Sequence, residues 1–538
     1  MSAVLPAALA LPLALLLAST DAAARARMLG LLWLAPLPAL AAAFLAVDAP
    51  PLVLDSARHF TLALDRPGAL LLGVAALLWS AAGAYARTYL AGDPKAGRFA
   101  VWWLLTLTGS LAVFFTRDLA SFYLAFALVS LAAYGLVVHD GTPRARRAGV
   151  IYLFLAVLGE IALLAGFALL AVESPGPTLA IATTVADLAG SPLRGLTIAM
   201  LLLGFGLKAG LVPLHVWLPV AHPAAPMPAS AVLSGAIIKA GIIGLIRFLP
   251  YDGHLADWSA VIAGIGLVTA YYGAALGITQ DNPKTVLAYS SVSQMGLVAT
   301  ALGMGLVAGP TALLPAAFAA AHHVLAKGAL FLAVGVAAAA GPRRRLWLVM
   351  LPAVLLALGF GGLPLTGGAL AKLAVKPALG DGPVYLLATL AGAGSTLLML
   401  HFCGRLAAVD APAPATAPTL GLTLPWLLLA AAAVAVPWAA FLRMGLGTAA
   451  EPLDPSALWG GLWPVLLGLV LAAALHRWGH RLPRPPEGDL VVVGEAAARG
   501  VDRVGAVIER AERPLRSWPV AGAMLMLLVV ALGAALLL

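Results

Sequence analysis

The sequence is poor in the residues that build soluble catalytic sites. Cys403 is its one cysteine, so an intrachain disulfide and any cysteine-based zinc or iron–sulfur site are excluded. Charged residues make up 10% of the 538 positions, against about 25% in soluble globular chains. There is no Gly-rich phosphate loop and no polar stretch able to form a nucleotide-binding domain. An enzyme acting on its own is therefore not expected, and neither is a cofactor or a metal. The energy that drives this protein must come from a partner or an ion gradient. Lysine is scarce as well: 7 Lys stand against 25 Arg in a net charge of +9. Nearly all the Arg fall between apolar runs, which argues against a nucleic-acid surface.

Apolar residues are plentiful. They make up 62% of the chain, and mean hydropathy is +1.00. Apolar runs of about 20 residues, enough to span a bilayer, recur from end to end. The reading is an all-α integral membrane protein with about 14–16 transmembrane helices. The run over 2–19 lacks a basic flank before it and is followed by Arg25 and Arg27, so it reads as a retained helix and not a signal peptide. A second span is expected over 28–47. The run over 346–377 is too long for one simple helix and contains Gly359, Gly361, Gly362, Pro364, Gly367 and Gly368, so a broken helix is expected there.

Every second loop is basic: Arg25/Arg27, Arg87/Lys95/Arg98, Arg144/Arg146/Arg147, Arg343/Arg344/Arg345, Arg405 and Arg477 onward. Cations gather on the cytoplasmic side. This predicts a bacterial-type inner membrane protein with its N-terminus outside. The divisions are three helices in 1–98, five in 99–250, five in 251–405, further spans in 406–484, and an amphipathic cytoplasmic segment with a last helix in 485–538. An odd number of spans per set makes the two five-helix sets inverted repeats. Each contains one interrupted helix, near Gly204–Gly206 and Pro213 and near Gly359–Gly361 and Pro364. Matching interruptions in inverted halves point to an ion path at the bilayer midplane.

The scarce lysines sit where charge is most costly. Lys208 lies deep in its span in GFGLKAGLVPLHVWLP, and Lys239 is mid-helix in SGAIIKAGIIG. A charge at the bilayer centre costs about 2.5–3.5 kcal/mol on insertion scales. Lysine can escape that cost by giving up its proton, whereas arginine cannot. Lysines inside with arginines in the loops is the distribution that proton relay requires. In AHHVLAKGALFL, His323 and Lys327 share a helix face one turn apart, with His322 beside them. Lys372 follows the second interruption, and Lys376 comes one turn later. Glu160 is the only carboxylate deep in an apolar span, and Lys208 is its expected partner. Accessory candidates are His215 and His222 in the Pro-rich stretch 213–228, Lys284 at the start of NPKTVLAYSSVSQMG, and His401. Each also admits a structural reading as a packed turn, an anchor or an inter-helix bond.

KAGLVPLHVWLPVAHPAAPMPASAVLSGAIIKAGIIGLIR, NPKTVLAYSSVSQMG, HHVLAKGALFL and GLPLTGGALAK together resemble a known family. It comprises the antiporter-like, proton-conducting subunits of complex I, Mrp antiporters and energy-converting hydrogenases, and the match looks most like the hydrogenase-4 type. The resemblance implies a relay through Lys208, Lys239, His323, Lys327 and Lys372 in a complex with other membrane subunits. It also implies a glutamate on the fifth helix, where this sequence has Ala127. Glu160, one helix later, is the candidate replacement. The leading expectation is proton translocation in a redox-driven complex. The alternatives are an Mrp-type cation/proton antiporter subunit, with sodium as the possible cation, a proton-channel partner of an uptake system, and a scaffold with a degenerate channel.

Overall fold

Backbone polar groups in a bilayer have no water to bind, so each apolar run pairs its own N–H and C=O groups as a helix. The computed structural model describes residues 4–55, 60–174, 179–188, 190–253, 255–340, 345–409 and 418–479, with a few positions up to 491. Residues Met1–Glu487 form one unit, which contains everything discussed below. Arg343, Arg344, most of the amphipathic segment expected over 485–516, and the span expected at 518–537 lie outside the described residues.

Among the described residues, eleven helices are long and apolar enough to cross a membrane, or twelve if a bent N-terminal pair is one span. The chain is a multi-pass, all-α membrane protein. Helices α1 (Val4–Ala18) and α2 (Ala22–Arg27) form that pair, with a 118° bend where Asp21 caps α2. The span expected over 28–47 is not a continuous helix. It is a 3-10 turn, Met28–Gly30, then irregular turns, then α3 (Leu37–Leu45), because Pro36 and Pro38 confine helix to its C-terminal part. A small antiparallel hairpin that the sequence did not announce follows, β1 (Leu52–Asp55) and β2 (Phe60–Leu62).

The body consists of α4 (Arg66–Tyr89), α5 (Ala96–Ala112), α6 (Leu119–Val137), α7 (Pro143–Glu173), a short amphipathic α8 (Ile181–Leu188), α9 (Arg194–Ala209), α10 (Trp217–Ala224), α11 (Met227–Val232), α12 (Lys239–Phe248), α13 (Ala256–Gly277), α14 (Pro283–Ala308) and α15 (Leu313–Ala339). It continues with α16 (Leu351–Gly361), α17 (Gly367–Leu379), α18 (Pro383–Ala407), α19 (Leu420–Arg443) and α20 (Pro455–Trp478). The stretch from α11 to α12 is wholly buried and α15 nearly so, whereas α20 is mostly exposed. The helices that carry Lys239 and Lys327 are therefore central. Apolar side chains such as Phe154, Ile161, Leu428 and Val470 face outward, as expected of a lipid-facing surface. Glycines let the central helices touch backbone to backbone: a Cβ on Gly296 of α14 would lie 2.5 Å from the Gly266 carbonyl of α13.

Both interrupted helices end in the same way. Gly210 (φ 83°) and Gly362 (φ 95°) adopt the left-handed conformation that only glycine takes without strain. Gly210 N–H donates to Leu207 O and Leu211 N–H to Gly206 O. Likewise Gly362 N–H donates to Gly359 O and Leu363 N–H to Leu358 O. Each is a Schellman closure, which satisfies the last carbonyls of a helix. The interruptions fall at 210–213 and 362–366, a few residues after the two GFG triplets.

Arg247 lies in the last turn of α12, yet it is only 8% exposed. Its guanidinium donates to the carbonyls of Val113 (2.8 Å), Thr116 (3.0 Å) and Phe114, and to Asp65 Oδ1 (3.1 Å). Arg117 donates to Asp65 Oδ2 at 3.0 Å, and Asp65 also caps α4. Burial works against the charge on Asp65, but Arg247 and Arg117 outweigh it and hold the carboxyl below its ordinary value of 3.8. One ion cluster thus ties together the ends of α4, α5 and α12.

Candidate functional site

The structure brings the sequence-derived residues together in three groups. The first surrounds the α9 break. Lys208 is 3% exposed and its Nζ donates to Tyr152 Oη at 3.3 Å. Tyr152 in turn donates to the Ser130 carbonyl at 2.6 Å. Trp217, past the break, donates its indole N–H to Leu207 O at 2.9 Å, which occupies a carbonyl of the closing turn. Phe126 and Tyr152 present ring faces 5.8 and 5.6 Å from the ammonium. Glu160 is buried on the same face of α7 as Tyr152, eight residues on. It makes no direct ion pair with Lys208, and neither carboxylate oxygen has a hydrogen-bond partner. The nearby Ser130 hydroxyl is also unpartnered. Lys208 thus bonds to Tyr152 and not to the acid.

The second group is the densest. Lys239 Nζ meets His323 Nδ1 at 2.6 Å across α12 and α15. It also donates to the Ser234 carbonyl at 3.2 Å. That carbonyl belongs to a π-helical turn, Leu233–Ile237, immediately before Lys239. A π turn carries an extra residue per turn, frees carbonyls from the i→i+4 ladder and is frequent at functional sites. Lys327, one turn from His323, donates to Leu287 O at 3.0 Å and lies 5.0 Å from the Phe360 ring centre. Ser234 and Ser291 share a hydrogen bond of 2.7 Å, and Ser291 also donates to Leu287 O at 3.1 Å. Lys239 and His323 thus form a direct pair, and Lys327 shares the Leu287 carbonyl with Ser291, which bonds to the Ser234 hydroxyl.

The third group surrounds the α16–α17 break. Lys372 Nζ donates to the Gly361 carbonyl at the end of α16. The His322 ring lies against Gly367 and Gly368, where an added Cβ would come within 2.6 and 3.3 Å of its nitrogens. Both ring nitrogens of His322 are buried and unpartnered. Leu365 takes φ 65°, a strained value for a residue with a side chain, and its carbonyl accepts from Trp438 Nε1 at 2.9 Å. A cavity of about 220 Å³ opens here and reaches Lys372, His322 and His323.

The accessory candidates separate. His222 is fully buried on Phe331 at 4.8 Å, with neither ring nitrogen bonded. Lys284 is buried and donates to the Ala225 carbonyl just beyond His222. His215 packs edge-on against Tyr272 at 5.0 Å. His401 is half-buried near the basic end of α18, its Nε2 at 2.8 Å from the Gln280 carbonyl, apart from the three groups. Lys376 is exposed over the Tyr385 ring at 5.6 Å. Sequence reasoning missed Tyr152, Ser130 and the π turn. Tyr152 had a signal in its helical spacing from Glu160, whereas the π turn had none.

Residues 116–398, more than half of the chain, match the family described as NADH:quinone oxidoreductase/Mrp antiporter, transmembrane. The chain belongs to that family. Within the NADH:quinone oxidoreductase/Mrp antiporter match lie Glu160, Lys208, Lys239, His323, Lys327 and Lys372, together with Ala127; His401 lies beyond it. The chain is similar to hydrogenase-4 component B of Escherichia coli, 32% identical over 292 residues, covering 51% of this chain and 43% of that one. It is also similar to the Na(+)/H(+) antiporter subunit A1 of Staphylococcus haemolyticus, 30% identical over 264 residues, covering 47% of this chain and 33% of that one. The chain thus matches less than half the length of either relative. The Mrp complex of Dietzia sp. DQ12-45-1b shares the fold, with a TM-score of 0.77 at 23% identity, covering 99% of this chain and 62% of that one.

Proposed function

We propose that this antiporter-like subunit translocates protons in a multisubunit, energy-converting complex of the inner membrane, with its N-terminus outside. The relay runs through Lys208, Lys239, His323, Lys327 and Lys372, and Glu160 charges and discharges Lys208. The two five-helix sets act as inverted halves, a reading supported by their matching Schellman closures. The observation that carries the proposal is the 2.6 Å contact between Lys239 Nζ and His323 Nδ1 on different helices. Two cations cannot sit that close in a low-dielectric interior. One nitrogen must offer its lone pair to the other's proton, so the pair shares a proton and can pass it on. The neighbouring subunits supply the driving energy.

A sodium/proton antiporter subunit is the second reading, favoured by the resemblance to the staphylococcal protein. Sodium needs several oxygen ligands. Glu160 is the one carboxylate buried mid-span among the described residues. Proton uptake by liposomes containing the purified complex decides the matter. Lys239→Met should lower the flux on the order of 10²-fold, the scale of a lost acid–base group. Equal flux in the variant would end the relay reading, and an obligatory sodium requirement would replace it with the second.

A further inference from the structure

The cavity at the second break has a charge pattern that the relay alone does not explain. Its titratable lining is His322, His323, Lys372, Lys376 and Tyr385, with no aspartate or glutamate among the described residues. The carboxylates beside its mouth are engaged elsewhere. Glu451 accepts from Thr448 N–H at 3.1 Å, and Asp454 caps α20 by accepting from Ser456 N–H at 2.8 Å. Lys372 gives one hydrogen bond, to Gly361 O, and an ammonium has three to give. His322 is 5% exposed with both nitrogens unpartnered, and it faces the cavity. The first turn of α17 starts at the same wall, and its Gly367 and Gly368 carry no side chains. A helix start adds positive potential.

We propose that this cavity binds a small monovalent anion of chloride size, held by Lys372, Lys376 and His322. About 220 Å³ holds such an ion with several waters, each taking about 30 Å³. The anion is the counterion that the second break lacks, in the place that Glu160 fills at the first. The same lining repels sodium and potassium, so metal cations do not enter by this route. Its role as counterion rests on the relay reading, but its binding does not.

The test is chlorine NMR line broadening of chloride titrated onto the full chain purified in detergent. A saturable broadening is expected. It should be lost in Lys372→Met/Lys376→Gln and kept in Lys95→Gln, which removes an exposed lysine elsewhere. Ala457→Phe, which plugs the mouth but leaves every basic group, should abolish it too, so misfolding of the double variant cannot be mistaken for support. Absence of saturable broadening in the wild type, or its survival in both cavity variants, overturns the proposal. Broadening that persists while Lys239→Met leaves proton flux unchanged would end the relay reading and leave the anion site standing.

Discussion

The two helix breaks close with the same backbone motif and differ in what surrounds their lysines. At the first, Lys208 precedes the break, bonds to Tyr152 and lies over the Phe126 and Tyr152 rings, with Glu160 buried on the same helix as Tyr152. At the second, Lys372 follows the break, bonds to a backbone carbonyl and borders an open cavity with no carboxylate among the described residues. One break has a buried carboxyl on a neighbouring helix and is sealed; the other is open and lined by basic groups. The difference teaches that one backbone closure can serve two lysine settings, and the side chains around each decide how its charge is balanced.

Four changes test that contrast. The largest effect is expected at a cluster where charge has fixed partners. Asp65→Asn leaves the buried Arg247 without its carboxylate and should cost about 3 kcal/mol in thermal unfolding, with flux per folded molecule unchanged. Because the folded value of Asp65 is lowered, its stabilisation is complete above 3.8 and disappears as pH falls below that. The wild type should therefore lose an increment of acid stability that the variant never had. Next, Glu160→Gln should lower proton flux on the order of 10²-fold, and adding Ala127→Glu should restore much of it. A double variant as inactive as the single would show that the acid cannot be moved between α6 and α7. Tyr152→Phe should reduce flux by about tenfold, the worth of one buried hydrogen bond, and an unchanged rate would remove Tyr152 from the path. The smallest change is expected from Ser234→Ala, about twofold or less, since Lys239 bonds to the Ser234 carbonyl and not to its hydroxyl.

Much of this was legible in the sequence because lysine is rare in it. A handful of lysines in apolar runs stand out against arginines in loops, and the cost of burying charge makes each one informative. The broken helices were legible through their Gly and Pro clusters. The pairing of Lys239 with His323 was not, because it depends on the rotation of two helices distant in sequence. Nor was the role of Arg247, whose partners come from the ends of α4 and α5. The region over 28–47 misled because an apolar run with two prolines satisfies a hydropathy window while its backbone turns. Glu160 was found, but its distance from Lys208 follows from packing that spacing does not encode.

The π turn before Lys239 has a consequence in the language of reading frames. An α-helix advances about 100° per residue, and Leu233–Ile237 absorbs one residue more than a regular turn would hold. Deleting Gly235 would turn this stretch into a regular α turn, leave Lys239 facing the same way and return the Ser234 carbonyl to the helix ladder. No ionisable group would be lost, yet the ammonium would lose its backbone acceptor beside His323. A relay damaged more by that deletion than by Ser234→Ala would show that the extra residue, through the carbonyl it frees, shapes the path; equal effects would refute it.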